Sequence, residues 1–122
     1  MITNDAVIGM ISTMCTSCHW FYITGSRYFG NVRDESDWDF FVQDSEEVQQ
    51  YLVAIGFQCQ ATSYYIGDKG ISSVWAHPNL PIHVQVVKNA EEKNRKQQAI
   101  YNLIGRNFTR LPKHIQTFIW NT

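Results

Sequence analysis

Two aspartates one residue apart, Asp37 and Asp39, stand in the otherwise apolar run DWDFFV. Alternate side chains of a strand share a face, so both carboxylates would lie on one side and Trp38 and Phe40 on the other. Two carboxylates so close repel each other, and burying them without a partner is costly. Mg²⁺ removes that conflict, because it takes carboxylate oxygens and keeps waters or substrate phosphates as its other ligands. The alternative is that both aspartates begin a strand and face solvent, which is how a short D-x-D motif alone is more often explained.

Residues suited to binding phosphate lie shortly before these aspartates. Gly25 and Ser26 follow the apolar run HWFYIT. A glycine at a strand end lets the backbone approach a ligand and leaves amides free, and amides with a serine hydroxyl can hold phosphate oxygens, more so where a helix begins. Arg27 can add a bidentate phosphate contact. Phosphate donors beside a carboxylate pair are what phosphoryl or nucleotidyl transfer requires.

The run GSRYFGNVRDESDWDFFV resembles the signature of the minimal nucleotidyltransferases, a branch of the DNA polymerase β-like superfamily. The matching positions are Gly25, Ser26, Arg27, Gly30, Ser36, Asp37 and Asp39. The resemblance implies a nucleotidyltransferase-like mixed β-sheet. It also implies that Gly25, Ser26 and Arg27 bind the triphosphate of a nucleoside triphosphate (NTP), and that Asp37 and Asp39 ligate Mg²⁺ or Mn²⁺. The implied reaction moves a nucleoside monophosphate to an RNA or protein hydroxyl and releases pyrophosphate.

The chain departs from this signature on a later strand, where the family usually has a third carboxylate. The matching place is PIHVQVV, and the residue there is His83. A neutral imidazole can ligate a metal or act as a base near neutral pH, although it suits Mn²⁺ or Zn²⁺ better than Mg²⁺. Two hypotheses follow: His83 assists a working enzyme, or the chain is a catalytically degenerate relative that binds a nucleotide or a protein as a regulator or inhibitor. Glu35, in the loop, is a reserve ligand.

A competing motif, CTSCH at residues 15–19, has the C-x-x-C-H form of covalent haem attachment. The methionines all lie at residues 1–14, so a later Met axial ligand is missing. Cys15 and Cys18 also fall on an apolar helical stripe, which explains them as small core residues. We therefore expect no haem.

Composition bounds the class of protein. With 122 residues, 44% of them apolar, the chain is expected to form one domain over 1–122, with a core over about 1–88 and a C-terminal helical segment over about 89–122. Ten basic against 11 acidic residues give no evidence for a nucleic-acid or membrane partner. Lys93, Arg95 and Lys96 could touch phosphates, although such a cluster is more often a solvated helix face. Three cysteines and an N-terminus without signal-peptide features favour the cytoplasm.

Periodicity predicts the elements that position these residues. Helices are expected over about 4–18 and 45–55, from Asn89 onward with Asn89 as the cap, and over 112–120. Asp44 with Glu47 predicts a capping box for the second of these. Strands are expected in HWFYIT, DWDFFVQ, FQCQATSYYIG, ISSVWAH and PIHVQVVK, with a turn at GDKG. The last strand alternates, with Ile82, Val84 and Val86 expected on one face and His83, Gln85 and Val87 on the other. This order, with hairpins late in the chain, predicts an α+β or mixed α/β fold with helices packed mainly on one face of the sheet.

Overall fold

The computed structural model describes residues 4–17, 21–33, 36–62 and 70–121. Within them the strands are β1 Phe21–Thr24, β2 Trp38–Gln43, β3 Gln58–Thr62, β4 Ile71–Ala76 and β5 Ile82–Val87. They form one sheet in the order β1-β2-β5-β4-β3. β2 and β5 run parallel, and the other neighbouring strands pair antiparallel. The predicted mixed α+β class is confirmed at this level.

The helices in the same residues are α1 Asn4–Ser17, α2 Ser26–Phe29, α3 Glu46–Ala54, α4 Ala90–Ile104 and α5 Lys113–Trp120, with a 3₁₀ helix over Gly105–Arg110 between the last two. The predicted cap of α4 is confirmed, because the Asn89 side chain accepts a hydrogen bond from the Glu92 amide. The predicted capping box of α3 is wrong by one residue. Ser45, whose hydroxyl accepts from the Val48 amide, is the N-cap. None of the helices in the described residues is long and apolar enough to span a membrane.

The sheet is covered on both faces. Phe40 and Val42 of β2 join Val84 in a core that includes Val7 of α1 and Leu52 of α3. The alternate residues of β2 and β5 face the other way and form a second cluster with α4, made of Phe41, Val87 and Ala90 together with Ile71. The expectation that helices pack mainly on one face is therefore too simple. The reason is that the runs FFV and VV are apolar at consecutive positions, as in strands buried on both faces.

A third apolar cluster holds the C-terminal helices beside the start of α2. Phe29 of α2 packs with Ile100 of α4, Phe108 of the 3₁₀ helix and Trp120 of α5. The Phe29 and Phe108 rings lie 4.7 Å apart between centroids. This packing brings α5 next to the loop at Gly25, which is far away in the sequence.

A buried polar pair ties α4 to the end of β1. The Gln97 amide is fully buried and donates to the Ile23 carbonyl at 3.0 Å, while its oxygen accepts from the Thr24 hydroxyl. Thr24 is the last residue of β1, directly before Gly25. The position of the glycine loop therefore depends on α4 as well as on the sheet.

The cysteine explanation is corrected in part. In α1 the stripe at Val7, Met10, Ile11 and Met14 packs into the core, and Cys15 lies outside that stripe and is exposed. Cys15 is therefore not a core residue. Cys18 and His19, like most of the GDKG turn, lie outside the described residues.

Candidate functional site

Asp37, Asp39 and His83 come together where β2 and β5 begin. The two strands run parallel, and Asp39 is paired in register with His83. The Nδ1 atom of His83 lies 3.6 Å from Asp37 Oδ2 and 3.7 Å from Asp39 Oδ1. These distances are longer than a hydrogen bond, which spans about 2.7–3.2 Å for N–H···O. The Asp37, Asp39 and His83 side chains are 52%, 37% and 41% exposed, so a small ligand can reach all three from solvent.

Gly25 brings the backbone against the second aspartate. Its φ of 70° and ψ of −153° lie in a region that is essentially restricted to glycine. A Cβ atom placed on Gly25 would stand 2.7 Å from Asp39 Oδ2. The antiparallel pairing of Thr24 with Asp39 produces this contact, since it sets the end of β1 beside the start of β2. The predicted Gly-Ser element and the predicted carboxylate pair are therefore adjacent in space.

A cavity of about 370 Å³ opens beside Asp39. Gly25, Ser26 and Asp39 line one side, and α5 contributes Lys113, Gln116 and Thr117. An ammonium group, an amide and a hydroxyl thus stand around a space that reaches a carboxylate. The Gln116 amide donates to the Leu111 carbonyl and the Thr117 hydroxyl to the Lys113 carbonyl, so the Lys113 ammonium is the group of this wall that can hold the oxygens of an anion next to a cation bound by that carboxylate.

The three α5 residues are the functional candidates that sequence reasoning missed. Lys113, Gln116 and Thr117 recur at the three-and-four spacing of one helix face. Their polarity beside the apolar face of α5 is the signal that was present in the sequence. This spacing does not predict which loop the polar face of α5 contacts, because that contact depends on the packing of Phe29 against Phe108.

Arg27 is placed away from this cavity. Its Nη2 donates to the Ser36 carbonyl at 2.9 Å, and its guanidinium carbon lies 4.0 Å from the centre of the Trp38 ring. Both partners flank Asp37 in the sequence. In this structure Arg27 therefore fixes the segment that carries the first aspartate, and it does not line the cavity beside Asp39.

The electrostatic surroundings of Asp39 favour a bound cation. Burial raises the pKa of the Asp39 carboxyl above its usual range, and the neighbouring Asp37 carboxylate raises it further. His83, Lys113 and Arg27 act in the opposite direction and do not cancel the increase. The protein alone therefore does not fully stabilise the ionised form of Asp39, and a positive charge bound between Asp37 and Asp39 would favour that form.

The donor set fits Mg²⁺ as a two-carboxylate site. Across the described residues, no group of three His, Cys, Asp or Glu side chains is arranged as a ligand set for a metal ion. Mg²⁺ commonly binds one or two carboxylates and completes its shell with waters and substrate phosphates, so Asp37 and Asp39 are sufficient for it. His83 lies beside both of them without completing a three-ligand set. Glu35, the reserve ligand, lies outside the described residues.

The chain matches no protein-family model, no curated protein and no solved structure. Interpretation of the site therefore depends on its own residues and geometry.

Proposed function

We propose that this chain is a metal-dependent nucleotidyltransferase, with a nucleotidyltransferase-like fold, that moves a nucleoside monophosphate from an NTP to an RNA or protein hydroxyl and releases pyrophosphate. One observation carries the proposal: the carboxylate pair Asp37 and Asp39 adjoins the Gly25–Ser26 loop, with His83 paired opposite Asp39. The pairing of His83 with Asp39 supports the alignment with the family signature, because in that alignment His83 occupies the position of the expected third carboxylate.

The nucleotide would be held from two sides. Asp37 and Asp39 would hold Mg²⁺ or Mn²⁺, which when bound supplies positive charge to the phosphates. Ser26 and the backbone of Gly25 face the same cavity as Lys113 and Thr117, so the triphosphate would lie between the glycine loop and α5. Lys113 would act as a point charge on a phosphate. Arg27 would contribute by holding the segment before Asp37 in place through Ser36.

In the reaction, the oxygen of the acceptor hydroxyl forms a bond to the α-phosphorus, and the bond from that phosphorus to the oxygen bridging to the β-phosphate breaks. Pyrophosphate leaves with the electron pair of the broken bond. His83 would accept the proton of the hydroxyl on Nδ1, which lies 3.6 and 3.7 Å from the Asp37 and Asp39 carboxylates and so faces the site where the phosphates would be held. Most of the acceleration would come from positioning and charge neutralisation, as in other phosphoryl transfers.

A second candidate is a nucleotide-binding protein of this class without chemistry, acting as a regulator or inhibitor. Two observations favour it: His83 stands in place of a carboxylate, and the described part of the chain has no three-ligand metal set. Such a protein would bind an NTP equally well with and without a divalent cation.

The test uses NTPs labelled in the α-phosphate, with Mg²⁺ or Mn²⁺, and cellular RNA and protein as acceptors. Asp37→Asn and Asp39→Asn remove one carboxylate each, and Asp5→Asn removes the same charge from an exposed position on α1. We expect label transfer by the native chain and Asp5→Asn, and none by the two site variants. Absence of transfer with every nucleotide and metal would refute the proposal, and nucleotide binding that ignores the metal would establish the second candidate.

A further inference from the structure

A second cavity, of about 410 Å³, lies beside the first one. Lys93 and Trp120 line both cavities, so the two spaces meet at this pair. The other residues that line the second cavity are Gly70, Lys88, Asn89, Glu92, Lys96 and Asn121. The two neighbouring cavities, here called the groove, thus place three lysines beside the carboxylate site.

The three lysines are set in this groove by the backbone. Lys88 directly follows β5, and Asn89 then caps α4. Lys93 and Lys96 are three residues apart, so they share one side of α4. Both are partly buried, whereas Arg95 is exposed and does not line the cavity. The basic cluster seen in the sequence is thereby divided into residues that face the groove and one that does not.

Trp120 gives the groove an aromatic surface. Lys93 Nζ lies 4.4 Å from the centre of its ring. The Phe108 ring meets it edge-on, at 6.1 Å between centroids. The indole is therefore held in place where the two cavities join. Glu92 adds one carboxylate to the wall of the second cavity and accepts a hydrogen bond from the Asn89 side chain at 3.4 Å.

We propose that this second cavity binds the acceptor, and that the acceptor is single-stranded RNA, an inference that rests on the proposed nucleotidyl transfer. Lysines spaced along a groove contact successive phosphates, and an aromatic side chain among them stacks a base. A protein acceptor would offer no regular row of anions for Lys88, Lys93 and Lys96. The end of the RNA would pass Trp120 and reach Asp39 in the first cavity.

The test measures fluorescence anisotropy of a labelled RNA of about 12 nucleotides, a length within the usual range of such sites. The native chain is compared with Lys88→Ala/Lys96→Ala, which removes two positive charges from the groove, and with Arg95→Ala, which removes one positive charge outside it. Each lost phosphate contact lowers the slope of log K against log salt by about 0.7 for single strands, so the double variant should lose about 1.4 and Arg95→Ala close to none. Thermal unfolding checks that all three chains are equally folded.

All binding is measured without metal, and is repeated in an Asp39→Asn background, so that catalysis is not required. Equal losses per removed charge in the lysine and Arg95 variants would overturn the proposal, because they would indicate diffuse charge. Displacement of the RNA by ATP, with ATP binding weakened by the lysine substitutions, would assign the cavity to the NTP instead. Labelling of a protein acceptor by a chain that does not bind RNA would also overturn it. Lysine-dependent RNA binding without any transfer would refute the reaction alone.

Discussion

Substitution of Gly25 by alanine should damage the site far more than it damages the fold. Gly25 has φ 70° and ψ −153°, where a residue with a Cβ atom is strained by about 1–3 kcal/mol. The new methyl group would also stand 2.7 Å from Asp39 Oδ2, and an ordinary contact begins at 3.4 Å. The carboxylate, the loop or both must therefore move by about 0.7 Å, and misplacement of about 1 Å costs roughly a hundredfold in rate. We expect transfer to fall by one to two orders of magnitude.

Gly105 provides a matched control for the backbone strain. Its φ of 64° and ψ of −142° are nearly those of Gly25, but nothing lies within 4 Å of a Cβ atom placed there. Gly105→Ala should therefore lose a similar stability, about 1–3 kcal/mol in urea unfolding, and keep its transfer rate. The comparison separates the contact with Asp39 from the strain that both variants share.

The assays are urea unfolding and the rate of label transfer, measured on both variants at one temperature. Equal rates for the two alanine variants, whether both high or both low, would show that the approach of Gly25 to Asp39 does not position the carboxylate.

Three further predictions test the surroundings of the site. Burial raises the pKa of Asp39, so ionisation of its carboxyl group weakens the metal-free fold as pH rises through that pKa. Asp39→Asn should therefore raise the urea midpoint at about pH 7. This gain should shrink toward about pH 4, where the carboxyl group of the unfolded chain is also protonated. A midpoint gain that is the same at both pH values would contradict this assignment. His83→Asp supplies a third carboxylate and should raise the rate of transfer with Mg²⁺ relative to the rate with Mn²⁺, whereas an unchanged ratio of the two rates would place His83 outside the metal's surroundings. Gln97→Leu leaves the buried Thr24 hydroxyl without its acceptor and should cost about 1–3 kcal/mol in urea unfolding. Thr24→Val should cost less stability in the Gln97→Leu chain than in the native chain, because the hydroxyl has already lost its acceptor there. Additive costs for this pair would show that the Thr24–Gln97 contact contributes little.

Local patterns predicted most of the elements. The alternation in β5 correctly separates Ile82, Val84 and Val86 from His83 on the other face, because a strand has a period of two. The cap at Asn89 was also correct, since its side chain satisfies an amide of the first turn. The cap of α3 was misplaced because Asp44 and Ser45 are both capping residues, and the side chain of Asp44 bonds to Gln49 instead.

Long-range packing explains what the sequence could not predict. Periodicity places His83 on a strand but does not say that this strand pairs with β2 in parallel, in register with Asp39. The phosphate role of Arg27 was inferred from residue type, whereas its side chain is engaged by Ser36 and Trp38. The contribution of Lys113 arises from contacts between segments that are distant in the chain, and no local pattern encodes them.

The central claim is that Asp37 and Asp39 bind the nucleotide through a divalent cation. The most direct measurement is the affinity for a non-hydrolysable NTP analogue by calorimetry, with Mg²⁺ and with EDTA. We expect Mg²⁺ to tighten binding to the native chain and to Asp5→Asn by at least about tenfold, equivalent to about 1.4 kcal/mol. The increase should vanish in Asp37→Asn and in Asp39→Asn. The same affinity with Mg²⁺ and EDTA, or an increase that persists in both variants, would contradict a metal role for this pair.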